Sequence, residues 1–139
     1  MFRILFVCLG NSCRSQMAEG FARAYGNGVW EAESAGMMPA TIVAPLTRQV
    51  MSEKGIDLGD QFPKPLAWVR PDSFDLIVNL TDLLLPPEIT APVRISEVRD
   101  PIGASEKVYR QVRDEIERLV LRLVEEVRSR TTTPAPPPD

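Results

Sequence analysis

A cysteine and an arginine six positions apart, Cys8 and Arg14, stand where the chain passes from an apolar run into a helical pattern. Phe2, Ile4, Leu5, Phe6 and Val7 read as a buried strand. Gly10-Asn11-Ser12 makes a turn. From Arg14 onward, Met17, Ala18, Phe21, Ala22 and Tyr25 recur three or four apart, which is one face of a helix. A tight loop entering a helix N-terminus is a ready anion site, because the loop N–H groups and the helix dipole converge on one spot. A thiolate is a nucleophile, and the electropositive end of a helix beside a guanidinium favours it. Arg14 can grip two oxygens of a tetrahedral oxyanion at once, a geometry that Lys lacks. The stretch therefore reads as a cradle for phosphoryl-type transfer through sulfur. A C-x5-R spacing alone is a frequent accident, and a cysteine ending a buried strand is ordinarily a small core residue. The strand, the loop and the helix start together lift the pair above that.

Expelling an alkoxide or phenoxide from such a centre needs a proton donor. The chain contains no histidine, so acid or base must come from a carboxylate, Tyr, Lys or Cys. Asp100-Pro101 offers a carboxyl held in a defined place, since the proline fixes its own φ and biases Asp100 toward extended geometry. Taken alone, an Asp-Pro pair is ordinarily a turn.

The elements that must position these groups follow from the rest of the chain. Gly26-Asn27-Gly28 stops the first helix. Trp30 to Ser34 reads as a second strand, and Met37 to Thr41 as a loop. A helix is expected from about Pro45 to Lys54, with Leu46, Val50 and Met51 on its apolar face and Gly55 at its end. Leu66 to Val69 is a short helix or turn. Phe74 to Leu80 is the strongest internal strand, apolar at nearly every position as in a sheet covered on both faces. Pro92 to Ile95 is a fourth strand. A long amphipathic helix is predicted from Ser105 to about Arg128, with Val108, Val112, Ile116, Leu119, Leu123 and Val127 as its stripe. The pattern predicts an α/β fold, a single three-layer domain over 1–129 with a four-stranded parallel sheet flanked by helices on both faces. A proline-rich tail, 130–139, is expected to be disordered. In such sheets ligands bind at the strands' C-terminal ends, where Cys8 stands.

At 139 residues, 44% hydrophobic and 25% charged, the composition is that of an ordinary globular domain. A net charge of −3 and a pI near 5.1 argue against a nucleic-acid partner. The N-terminal apolar run is too short for a signal peptide or membrane span, so a cytoplasmic protein with no membrane partner is expected. Two cysteines five apart fit a reducing compartment better than a disulfide framework.

The run VCLGNSCRSQMAE closely resembles the signature of the low-molecular-weight protein tyrosine phosphatase superfamily, which includes the related arsenate reductases. The matching residues are Val7, Cys8, Gly10, Asn11, Cys13, Arg14 and Ser15, and the likeness extends from Phe2 to about Val127. The resemblance implies catalysis by Cys8, Arg14 and Asp100, with Leu9, Gly10, Asn11, Ser12, Cys13 and Ser15 holding the substrate oxyanion and no metal or other cofactor. It implies a loop role for Asn11, a hydrogen bond from Ser15 to the Cys8 thiolate, and a brace for the loop from Ser34 in Ser34-Ala35-Gly36. Cys13 has two readings, a thiol that traps oxidised Cys8 as a reversible disulfide and a packed core thiol.

The expected reaction is hydrolysis of phosphate monoesters of the phosphotyrosine type. Cys8 attacks in line, Asp100 protonates the departing oxygen, and Asp100 as carboxylate then activates water against the phosphocysteine. The partner is a phosphorylated protein or a small phosphate or arsenate oxyanion. Two departures bear on this. The aromatic side chains that flank the site in the family's tyrosine phosphatases are replaced by Met37-Met38-Pro39 and Ile102-Gly103. The length and the Ser15-Gln16-Met17-Ala18-Glu19 run resemble arsenate reductases, yet Asn79 to Leu83 lacks the further cysteines of the thioredoxin-coupled type. The alternative is therefore an arsenate reductase that uses a small thiol such as glutathione or mycothiol.

Overall fold

The computed structural model describes residues 1–131. Its sheet has four parallel strands in the order β2-β1-β3-β4, formed by β1 (Phe2–Cys8), β2 (Trp30–Gly36), β3 (Leu76–Asn79) and β4 (Val93–Ile95). The helices are α1 (Arg14–Tyr25), α2 (Pro45–Ser52), the one-turn α3 (Leu66–Val69) and α4 (Glu106–Thr131). This is the α/β architecture that the sequence pattern predicts.

The strand β1 is central because every one of its inner residues is apolar, which only a strand covered on both sides tolerates. Its side chains alternate between two cores. Ile4 and Phe6 face the larger one, built with Met17 and Phe21 of α1 and with Val112, Ile116, Val120 and Leu123 of α4. Leu5 and Val7 face the smaller one with Ala35, Val69, Phe74 and Ile77. Helices α1, α2 and α4 cover the first face, and α3 with the loop around Leu85 and Ile89 covers the second.

Element bounds differ from expectation in several places, among them β2, which runs on past Ser34 to Gly36. The ladder of β3 ends at Asn79 because the Leu80 carbonyl is diverted to Arg14 and to the Val98 N–H. A 3₁₀ turn at Pro71–Ser73, absent from the sequence reading, follows Arg70 at φ +53°. Helix α2 stops at Ser52, and Glu53, Lys54 and Gly55 close it by N–H bonds to Gln49, Met51 and Ser52. Helix α4 continues to Thr131, so the first two residues of the expected tail are helical; the remainder of that tail lies outside the described residues.

Register places the chemistry. Cys8 pairs with Gly36 at the carboxyl end of the sheet, and Asn79 pairs with Val7 beside it. The loops that leave these ends converge on one spot.

Candidate active site

Residues 8–13 form a loop whose carbonyls are all tied outward. The Cys8, Leu9 and Gly10 carbonyls accept from the N–H groups of Met37, Met38 and Ala40 at 3.1, 2.8 and 2.8 Å. The Asn11 carbonyl accepts from Gln16 Nε2 at 3.0 Å. That of Ser12 accepts from Ala44 N and Thr47 Oγ1, and that of Cys13 from Met17 N. In a planar trans peptide the C=O and the following N–H point opposite ways, so fixing the carbonyls outward turns the amides of residues 9–14 toward the interior of the loop. Asn11 enters the left-handed region at φ +51°, which a short amide side chain tolerates.

Cys8 is buried, 2% exposed. The Asn11 backbone N–H donates to its sulfur at 3.2 Å, and Ser15 Oγ lies 2.9 Å away. Asn11 Nδ2 donates to Ser15 Oγ at 2.7 Å. That bond occupies an acceptor site of the hydroxyl and leaves its proton for the sulfur. Two donors thus face a sulfur placed to accept, as a thiolate does.

Arg14 is buried, and its Nη1 donates to the carbonyls of Leu80 at 3.2 Å and Val98 at 2.9 Å. One edge of the guanidinium is spent on positioning, which holds the other toward the loop. Nη2 lies 3.7 Å from Asp100 Oδ2. The other carboxyl oxygen of Asp100 accepts from the Ile102 N–H at 3.0 Å, the turn that Pro101 enforces. Cys8, Leu9, Gly10, Ser12, Cys13, Arg14 and Asp100 line one cleft of about 340 Å³, rimmed by Met38, Ala40 and Ile102.

Nearly all the residues expected from sequence are brought together here. Asn11 and Ser15 differ in standing behind the sulfur, fully buried, so they act on the cleft through Cys8. The Ser34 hydroxyl donates to Glu19 Oε1 on α1 at 2.5 Å, and within Ser34-Ala35-Gly36 it is Gly36 that stands against the loop. A Cβ on Gly36 would meet Leu9 O at 2.8 Å and Asn11 Cβ at 2.9 Å, so only glycine lets β2 approach the loop. Cys13 is 3% exposed, with its sulfur 3.5 Å from the Tyr109 hydroxyl. Burial pushes the Cys13 thiol up and pushes the Tyr109 phenol above its usual range.

Several supports were invisible in the sequence. Asn11 Oδ1 accepts from the Lys64 N–H at 3.0 Å, and Gly36 N donates to Lys64 O at 2.8 Å. Gln61 Nε2 reaches Gln16 Oε1 at 2.8 Å. The Lys64 ammonium lies 3.9 Å from Glu19 Oε1, and burial lowers its pKa. Only the glycine of Ser34-Ala35-Gly36, at the end of a strand beside the loop, gave a local signal for any of these.

The family model for low molecular weight phosphotyrosine protein phosphatases matches residues 3–85. The chain is 36% identical over 131 residues to a protein named glutaredoxin arsenate reductase from Synechocystis sp., covering 91% of this chain and 99% of that one. A solved structure described as an arsenate reductase in the phosphate-binding state superimposes with a TM-score of 0.85, at 35% identity, over 91% of this chain and 99% of the other. The YwlE arginine phosphatase from Geobacillus stearothermophilus superimposes with a TM-score of 0.86, at 28% identity, over 99% of this chain and 100% of the other.

Proposed function

The chain belongs to the low molecular weight phosphotyrosine protein phosphatase family, and from that premise we propose that it reduces arsenate to arsenite with electrons from an external small thiol. The observation that carries this reading is the likeness, over nearly the full length of each chain, to proteins named arsenate reductases. The cleft supports it. Its rim of Met38, Ala40 and Ile102 leaves room for a bare tetrahedral oxyanion and offers no ring for an aryl group to stack on.

The Cys8 thiolate attacks arsenic while the inward-turned loop amides and Arg14 hold the remaining oxygens. Asp100, at the mouth of the cleft, protonates the departing oxygen, which leaves as water. A thiolate then attacks the Cys8 sulfur. The sulfur–arsenic bond breaks, arsenic keeps the electron pair and leaves as arsenite, and a mixed disulfide remains on Cys8. A second thiol frees Cys8. The sum is arsenate plus two thiols giving arsenite, one disulfide and water. The attacking thiol is external because the stretch at the end of β3, Asn79 to Leu83, holds no cysteine that could relay a disulfide.

A second reading is hydrolysis of phosphate monoesters through a phosphocysteine on Cys8. It is favoured by the family and by the likeness to an arginine phosphatase, with Asp100, beside Arg14, as its proton donor. Purified protein given arsenate with glutathione and glutaredoxin, or with mycothiol, is assayed for arsenite beside hydrolysis of para-nitrophenyl phosphate. Thiol-dependent arsenite formation with feeble aryl-phosphate turnover is expected. Strong aryl-phosphate turnover with no arsenite would replace the first reading by the second.

A further inference from the structure

A second, smaller cleft of about 260 Å³ adjoins the first and shares three of its walls, Leu9, Arg14 and Asp100. One outer wall is the turn Thr81-Asp82-Leu83 after β3. The other is the approach to Asp100, with Glu97 and Arg99.

Both walls are built firmly. Asn79 is 1% exposed, and its Oδ1 accepts from Thr81 N at 3.0 Å and from Thr81 Oγ1 at 2.8 Å. Its Nδ2 donates to Leu83 O at 2.7 Å, and Thr81 Oγ1 accepts from Leu83 N at 3.0 Å. Opposite, the Val98 N–H donates to Leu80 O and the Val98 carbonyl receives Arg14. These bonds lock the width of the groove independently of anything bound in it.

The charges lining it are unused. Among the described residues Asp82, Glu97 and Arg99, all exposed, form no ion pair with one another or with a neighbour. Two free carboxylates and one free guanidinium beside a nucleophile match a small molecule that carries an ammonium and a carboxylate.

We infer that this groove is the docking site of the reducing thiol, and that the thiol is a zwitterionic peptide of the glutathione class. The inference rests on the arsenate-reductase reading above. The ammonium lies between Asp82 and Glu97, and a carboxylate meets Arg99. The thiol sulfur is delivered past the shared wall to Cys8, where it forms the sulfur–sulfur bond as the sulfur–arsenic bond breaks and arsenite departs with the electron pair. A neutral sugar thiol leaves all three charges unmatched, and so is the poorer reductant.

The test is steady-state arsenite formation with glutathione and, separately, with 2-mercaptoethanol, which has neither ammonium nor carboxylate. Glutaredoxin is in excess throughout. The proteins are the wild type, Asp82→Asn/Glu97→Gln and Arg99→Gln, all altered at exposed side chains and checked by thermal unfolding. The expected result is a rise of about tenfold in the KM for glutathione, with a matching fall in the preference for glutathione over 2-mercaptoethanol. A wild type that reduces arsenate, with variants that keep its glutathione KM and its preference, would overturn the groove assignment and leave the reductase reading standing. A wild type that makes no arsenite with any thiol would overturn both.

Discussion

The side-chain amide of Asn11 donates to Ser15 Oγ at 2.7 Å and accepts the Lys64 N–H at 3.0 Å, so one residue ties the surroundings of the Cys8 sulfur to a loop far along the chain. Its backbone N–H also reaches that sulfur, which makes Asn11 the junction between nucleophile and scaffold.

The first prediction concerns that junction. Ser15→Ala removes a donor to the sulfur and leaves the Asn11 amide without its acceptor. A hydrogen bond to a charged group is worth about 1.5–3 kcal/mol, so alkylation of Cys8 by iodoacetamide near neutral pH should slow about tenfold to a hundredfold. Asn11→Ala should slow it similarly and also lower thermal stability by about 1–3 kcal/mol, because the Lys64 N–H loses its partner. Alkylation at the wild-type rate in both variants would remove the junction from the account.

Gly36 makes the second. Alanine there brings a Cβ within 3.0 Å of Leu9 O, Asn11 Cβ and Asn11 N, which are backbone or rigid atoms that cannot swing aside. The loop or the strand must move, at a cost of about 1–3 kcal/mol. Gly36→Ala should therefore fold with a lowered Tm and lose most of its activity, whereas Ser34→Ala should lower the Tm while keeping more activity, since the Ser34 hydroxyl bonds Glu19 of α1. Equal activity losses in the two would contradict this division of roles.

A third prediction separates the two cysteines. Burial raises the Cys13 pKa, so at a given pH it holds less thiolate than an ordinary thiol. Folded protein treated with iodoacetamide near neutral pH should carry one label, on Cys8, and Cys8→Ser should carry none until the protein is unfolded. Prompt labelling of Cys13 in folded Cys8→Ser, read by peptide mass spectrometry, would contradict a Cys13 thiol held in its neutral form by burial.

A fourth concerns acid. Glu53 bonds Arg110 at 2.9–3.2 Å and Arg113 at 2.7 Å, joining α2 to α4. Arg110 chiefly, then Arg113, holds its carboxyl at about 2, down from the ordinary 4.5. A carboxyl with a depressed folded-state pKa contributes stability that is present above the unfolded value and fades as pH falls toward the folded one. The Tm gap between wild type and Glu53→Gln should be full near neutral pH and shrink between about pH 5 and about pH 2. A gap independent of pH would mean that the carboxylate charge is not what joins the helices.

The strand, loop and helix that carry Cys8 and Arg14 were legible because each part is local and each has a strong pattern of its own. The same holds for Asp100, pinned by its own Pro101, and for the stripe of α4, where every predicted position except the half-buried Val108 is buried. What escaped is made between distant segments. Gln61 and Lys64, from the segment between α2 and α3, and Tyr109 of α4 reach the site only through tertiary packing, and no spacing within one segment announces that. Ser34-Ala35-Gly36 shows how a motif can be legible while its division of labour is not: the Ser34 hydroxyl meets α1, and the missing Cβ of Gly36 admits the loop. The shortened end of β3 is of the same kind, since the Leu80 carbonyl leaves the ladder to hold a guanidinium 66 positions earlier.

The most direct test of the proposed function is the chemical state of Cys8 during turnover. Protein is mixed with arsenate and glutathione, quenched in acid before glutaredoxin is added, and mapped by peptide mass spectrometry. The account predicts a glutathione disulfide on Cys8 that appears only when arsenate is present, together with arsenite in equal amount, and neither in Cys8→Ser. No arsenate-dependent adduct on Cys8, or an adduct on Cys13 instead, would contradict it.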